Sequence, residues 1–319
     1  MAHTLSREVK SLFTSLRSPH SGGVQGPDAV VKHSDITGTK SGASSVAQSA
    51  ISSPASFEQP ILIELFQSQG CNSCPPTNDN LISFVQSHQS SHRDTPSPRF
   101  SANRSPASSL TALPNSFPGP EYLLLTYQVT YWNYLGWADT FSLPINDARQ
   151  REYVRRMGLR AAYTPMVVVN GRGVGVGNTP GELERIVRAG RKPADETGSV
   201  GFKRSLEGQD NGELGVDVDA TSLPPSSSQS RAHPLEVWEI TYTPSSQDVH
   251  IRRGENAGRT LAHLNVVKDV RRMGTVERGT TQRFTVPWQG AERRASLGLG
   301  KVVIVQDGKG GEICGVLKL

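Results

Sequence analysis

Hydrophobic and polar positions along this chain follow two periods in turn, and the changes of period mark its parts. Residues 61–66 are an apolar run broken only by Glu64, the pattern of a strand covered on both faces. Leu81, Ile82, Phe84 and Val85 then predict a helix over 75–87. Pro75 and Pro76 fix its start, because proline is tolerated only in a first turn. Residues 121–129 predict a second strand. A second helix over 146–157 is closed by Gly158, with Arg155 and Arg156 suited to its negative end. Residues 166–169 predict a third strand, and Asn170-Gly171 is the pair preferred by a type I′ hairpin leading to 173–177. Thr179, Pro180 and Glu182 form the start signal of a last helix reaching about residue 189.

The resulting order, β-α-β-α-β-β-α, is that of thioredoxin. From about residue 198 short runs dominate, at 200–205, 213–218, 235–242, 249–251, 283–286 and 301–305, with 265–273 ambiguous. Turn-rich strands at that spacing predict a sandwich or small barrel. The expected fold class is therefore α/β: a thioredoxin-like domain over 57–195, then a β-rich, sandwich-like domain over 198–319. Two Ser/Pro-rich stretches, 1–56 and 89–119, are too polar to offset their ordering entropy and read as a disordered leader and a disordered insert. Within the leader, Leu5, Val9, Leu12, Phe13 and Leu16 share one helical face. A mitochondrial targeting helix and a short amphipathic helix lying on the surface both fit that pattern. The run 221–230 reads as a long hairpin loop.

An apolar share of 35% over 319 residues agrees with such disorder. The net charge of +5 is carried mostly by the two low-complexity stretches, each with two more basic than acidic residues, so the remainder is nearly neutral. That excludes a basic face for nucleic acid. Three cysteines cannot build a secreted disulfide framework and favour a reducing, intracellular compartment, cytoplasmic unless the leader helix directs the chain to mitochondria. No apolar run reaches the roughly 18 residues of a membrane span, so a soluble protein is expected.

Cys71 and Cys74 stand where the first strand gives way to the first helix, and a thiol there meets unpaired N–H groups and the positive end of the helix dipole. The expected result is a redox dithiol with Cys71 as the reactive thiolate and no need of metal or organic cofactor. Zinc needs a second ligand pair, and the only other cysteine, Cys314, sits in an apolar run that suits a small core residue. Pro165 precedes the third strand, where a cis bond would set it beside the dithiol; an ordinary trans proline at a strand start is the alternative. Glu64, desolvated inside a central strand, is a candidate to take the proton of Cys74, or else a carboxylate held by local hydrogen bonds. Tyr131, Trp132, Tyr134 and Trp137 read as core or as a lid.

Four motifs in order, ELFQSQGCNSCPP at 64–76, YWNYLGW at 131–137, YTPMVVVNG at 163–171 and ENAGRTLAHLNVV at 255–267, resemble an uncharacterised thioredoxin-like family of bacteria and fungi. The resemblance covers about residue 60 to the end. It implies a thioredoxin fold with Cys71 exposed, Cys74 as its partner and Pro165 as the cis proline, and it supplies no substrate. The chain departs from it at 128–130, where Gln-Val-Thr replaces His-Val-Asp. The function expected is a thiol-disulfide oxidoreductase acting on a protein or small-molecule thiol or disulfide. The alternatives are a non-catalytic binding module and a soft-metal carrier holding copper(I) on the same thiolates.

Overall fold

The computed structural model describes residues 59–93, 120–191, 198–205, 212–224, 233–288 and 298–319, all within one compact unit, Ala55–Leu319. The leader with its amphipathic helix, nearly all of the insert and most of the 221–230 loop lie outside these residues. The protein is mixed α/β: one large mixed sheet carries few helices.

The first half follows the predicted order. Strand β1 (Ile61–Gln67) leads to helix α1 (Cys74–Arg93), then β2 (Tyr122–Gln128), a 3-10 turn at Asn133–Leu135, α2 (Pro144–Arg156), β3 (Met166–Val169), β4 (Gly173–Gly175) and α3 (Pro180–Gly190). β1 runs parallel to β2 and antiparallel to β3. Local chemistry explains the ends. Thr179 Oγ1 accepts the Glu182 N–H at 3.3 Å and caps α3, while Asn170 (φ 48°) and Gly171 (φ 67°) turn the β3–β4 hairpin.

Side-chain alternation in β1 decides which helix meets which residue. Ile63 and Leu65 join a core with Leu81 and Val85 of α1 and Leu183 and Ile186 of α3. Leu62 and Phe66 face the opposite side, into a core with Tyr153 of α2.

The second half contains β5 (Gly201–Ser205), β6 (Glu213–Asp219), β7 (Leu235–Thr243), β8 (Gln247–His250), β9 (Thr260–His263), β10 (Val266–Val276), β11 (Thr281–Pro287), β12 (Gly300–Asp307) and β13 (Ile313–Lys318). β9 and β13 were not expected, and 265–273 resolves as a strand. These strands do not stand apart as a separate sandwich. β10, β7, β12 and β13 extend the first sheet, giving the order β13-β12-β7-β10-β2-β1-β3-β4. The join is made at Leu264–Val266: Thr126 N donates to Asn265 O (3.0 Å), Asn265 Nδ2 to Leu124 O (2.8 Å) and Thr126 Oγ1 to Leu264 O (2.7 Å). β8 and β9 pair in a two-stranded sheet, and β5, β6 and β11 form a three-stranded one, which packs Val216, Val218 and Phe284 over Val237, Val303 and Val305 of the large sheet. That layering is the part of the sandwich expectation that is observed.

The hairpin turn ties the halves together. Asn170 accepts from Leu62 N through its side chain (2.9 Å) and from Ile313 N through its backbone oxygen (2.9 Å). A Cβ on Gly171 would stand 2.1 Å from Gly311 O. With a positive φ besides, Gly171→Ala is expected to cost about 1–3 kcal/mol, read as a fall in the thermal midpoint. An unchanged midpoint would contradict this packing.

Candidate functional site

The loop from Ser68 to Ser73 brings the two cysteines together at the start of α1. That helix begins at Cys74, so Cys71 lies in the turn before it, closed by Cys74 N donating to Cys71 O at 3.3 Å. Cys71 is 5% and Cys74 2% exposed, and the two are thiols, not a disulfide. Cys71 is thus covered, where exposure was expected.

Its cover comes from two distant segments. Asn256, fully buried, donates from Nδ2 to Gln69 O and to Cys71 O, both at 2.9 Å, and Glu255 Oε2 accepts from Asn72 N at 3.2 Å. From the aromatic loop, Trp137 Nε1 and Thr140 N donate to Gln69 Oε1 (2.9 and 3.2 Å), and Asp139 Oδ2 accepts from Gln69 N (2.7 Å). Every polar group of Gln69 is therefore used to fix the loop. Burial pushes the Asp139 carboxyl up to about 6, against the Gln69 and Phe141 N–H groups that favour its charged form.

Thr164-Pro165 is a cis peptide, and Thr164 O lies 3.8 Å from Cys71 Sγ. Trp132 Nε1 donates to Thr164 Oγ1 at 2.6 Å, while Gln150 of α2 accepts from the Tyr131 hydroxyl through Oε1 (3.1 Å) and donates from Nε2 to Tyr163 O (2.7 Å). The aromatic loop is thus a clamp as well as a cover. Tyr134 is its outward member, 75% exposed and stacked on Trp132 at 6.1 Å.

The two thiols are unequal. The hydrogen bond from Cys74 is the main cause that brings Cys71 down to about 6, against its burial, with help from the Thr164 hydroxyl and the Ser73 and Cys74 N–H groups. Burial first, and then that same bond and the Cys71 charge, hold Cys74 well above the ordinary thiol range. The pair therefore holds one proton, on Cys74, over a wide span of pH.

Glu64 is not placed to take that proton. It is fully buried, but the alternation of β1 points it at α2, the face opposite α1. Its carboxylate receives Arg149 Nε at 2.7 Å and the Tyr153 hydroxyl. Arg149 in turn reaches Gln306 Oε1 of β12 at 3.3 Å. This is a structural ion pair joining β1, α2 and β12. Cys314 packs at the margin of the core under the three-stranded sheet.

Sequence reasoning missed Gln69, Asp139 and Asn256 as site residues, although two of them lie inside the motifs that carried the resemblance. Their meaning depends on partners more than 60 positions away. Among the described residues no cluster of three or more His, Cys, Asp or Glu side chains could hold a metal ion, so a soft-metal site would have only the two thiolates. No helix among them is long and apolar enough to cross a membrane.

No curated protein matches the chain. A crystal structure of a protein from Agrobacterium tumefaciens is similar over 81% of this chain and 93% of that one, with 24% identity and a TM-score of 0.52, which shows a shared fold. HBP35 of Porphyromonas gingivalis aligns over 83% of this chain and 76% of its own at 12% identity and a TM-score of 0.46. Residues 62–306 match a family described as protein of unknown function (DUF1223), and so, with most of its length matched, the chain belongs to the DUF1223 family.

Proposed function

We propose that the protein is a thiol-disulfide oxidoreductase, built on a thioredoxin-like arrangement of its first seven elements. One observation carries the reading: two adjacent buried thiols stand at the start of α1, with Cys71 Sγ 3.8 Å from Thr164 O of the cis Thr164-Pro165 peptide, a placement that divides them into a thiolate at about 6 and a proton-bearing partner held high. A structural cysteine pair has no need of that division, whereas thiol-disulfide exchange requires it, because only the thiolate attacks. The order of elements and the Thr164-Pro165 bond beside Cys71 support the same reading.

In the forward direction the Cys71 thiolate attacks one sulfur of a substrate disulfide. A Cys71–substrate bond forms, the substrate S–S bond breaks, and the second substrate sulfur leaves as a thiolate that takes a proton from water. Cys74 then loses its proton and attacks Cys71 Sγ, the mixed disulfide breaks, and the substrate is released as a dithiol while the protein keeps a Cys71–Cys74 disulfide. Two electrons pass from protein to substrate. A second disulfide couple must restore the thiols, and the reduction potential sets the direction.

Alkylation by iodoacetamide across pH tests this. Cys71 is expected to react with a half-maximal rate near pH 6, and Cys74 to stay unreactive until far higher pH. Two thiols titrating together at about 8.5 would sink the proposal.

A further inference from the structure

We propose that His263 is the base that takes the Cys74 proton when the mixed disulfide resolves, an inference that rests on the oxidoreductase reading above. With Glu64 turned to the α2 face, the resolving thiol needs another acceptor. One stands on its own side of the sheet: a small cleft is lined by Cys74, Ser68, Gln67 and Asn78 on one side and by Leu261 and His263 of β9 on the other. The wall is held in place by Asn78, which donates to Ala262 O at 2.8 Å and accepts from Gln67 Nε2 at 2.9 Å, linking α1, β9 and β1.

The Gln247 carbonyl assigns the tautomer on which the proposal rests. His263 Nδ1 lies 3.2 Å from Gln247 O, and a carbonyl oxygen only accepts, so Nδ1 carries the hydrogen of the neutral ring and Nε2 keeps the lone pair. The imidazole is 2% exposed, and burial lowers its pKa against the pull of the Gln247 and Leu261 carbonyls and of Asp248 and Asp79. The Phe141 ring stands nearly perpendicular to it with the centroids 5.6 Å apart, and Lys268 Nζ sits 4.0 Å over the Phe141 ring and interacts with Asp139. A neutral imidazole near pH 7 is thus the acceptor within the cleft that Cys74 shares. In the mixed disulfide Cys71 carries no charge, and the largest electrostatic hold on the Cys74 proton is gone. The proton passes to Nε2, the Cys74 thiolate attacks Cys71 Sγ, the substrate sulfur leaves as a thiolate, and His263 returns its proton to that thiolate or to water.

The test follows the full-length reduced protein with an aromatic disulfide reagent that releases a coloured thiolate. The wild type is expected to release one equivalent as Cys71 reacts and a second as Cys74 resolves. In His263→Gln the first phase is expected to stay within about 2-fold while the second slows about 10²-fold, and in His263→Gly added imidazole is expected to restore it. In the wild type the second phase is expected to be flat between about pH 7 and 9 and to fall below that, as the ring charges. A second phase that instead rises about tenfold per pH unit across that range, as free ionisation of a high-pKa thiol demands, overturns the assignment even if neither variant folds. So does an unchanged second phase in His263→Gln. A wild type with one phase and no internal disulfide overturns the oxidoreductase reading and this inference with it, whereas two phases in the wild type with an unaffected variant overturn only the role of His263.

Discussion

Glu64→Ala is expected to lower the stability of the protein by about 3–5 kcal/mol, measured as a shift of the urea midpoint at unchanged slope. The guanidinium of Arg149 is 3% exposed and the carboxylate 1%. Removing the anion leaves Arg149 buried among the rings of Tyr127, Tyr153 and Trp238, all within 6.0 Å of its Cζ, with only neutral oxygens to bind. The penalty comes from the stranded cation more than from the lost attraction. Glu64→Leu combined with Arg149→Met is therefore expected to recover most of the loss, because it removes both charges at similar volume. The Cys71 pKa should not move in the double variant. A loss below about 1 kcal/mol in Glu64→Ala would contradict the geometry, and a Cys71 pKa that followed Glu64 would return this carboxylate to the dithiol.

Cys74→Ala is expected to raise the Cys71 pKa from about 6 by about two units, because the S–H group that donates to its thiolate is its largest stabiliser. At pH 7 the thiolate fraction then falls about tenfold, and alkylation slows in proportion. Thiolate absorbance against pH measures the shift directly. A pKa that stayed near 6 would move the explanation to the Thr164 hydroxyl and the helix N–H groups. The same shift links to folding. A Cys71 pKa depressed below that of an unfolded cysteine adds stability to the reduced protein above the unfolded value, and this is lost as pH falls through about 6. Cys74, shifted upward, acts in the opposite sense, and its contribution declines once pH exceeds the unfolded thiol value. The reduced protein is thus expected to gain stability between about pH 6 and 8.5, and Cys74→Ala to lose most of that gain.

The chain's own pattern determined the local elements of the first half. Pro75-Pro76, Thr179-Pro180-Gly181-Glu182 and Asn170-Gly171 each impose a backbone conformation through groups within four residues of one another, and each stands where that chemistry puts it. The dithiol and the proline beside it were legible for the same reason. Alternation in β1 also showed that residues 61–67 have two faces. It did not say which helix covers which face, and the role of Glu64 turned on that.

Tertiary structure alone decided three things. It made one sheet of the two halves, because the β10–β2 junction is built from Thr126, Asn265 and Leu264, some 140 positions apart, and no local period records such a pairing. It gave Glu64 to Arg149, converting a candidate proton acceptor into a buried ion pair. And it brought Asn256 to the carbonyl of Cys71, and β9 with His263 to the cleft beside Cys74, from a segment in which the sequence predicted no strand. Backbone conformation is set by neighbours in sequence, whereas desolvation, hydrogen-bond partners and pKa belong to neighbours in space. The two cysteines, and Cys71 as the reactive one, could therefore be found by reading the chain, but their burial and the groups that surround them required the fold.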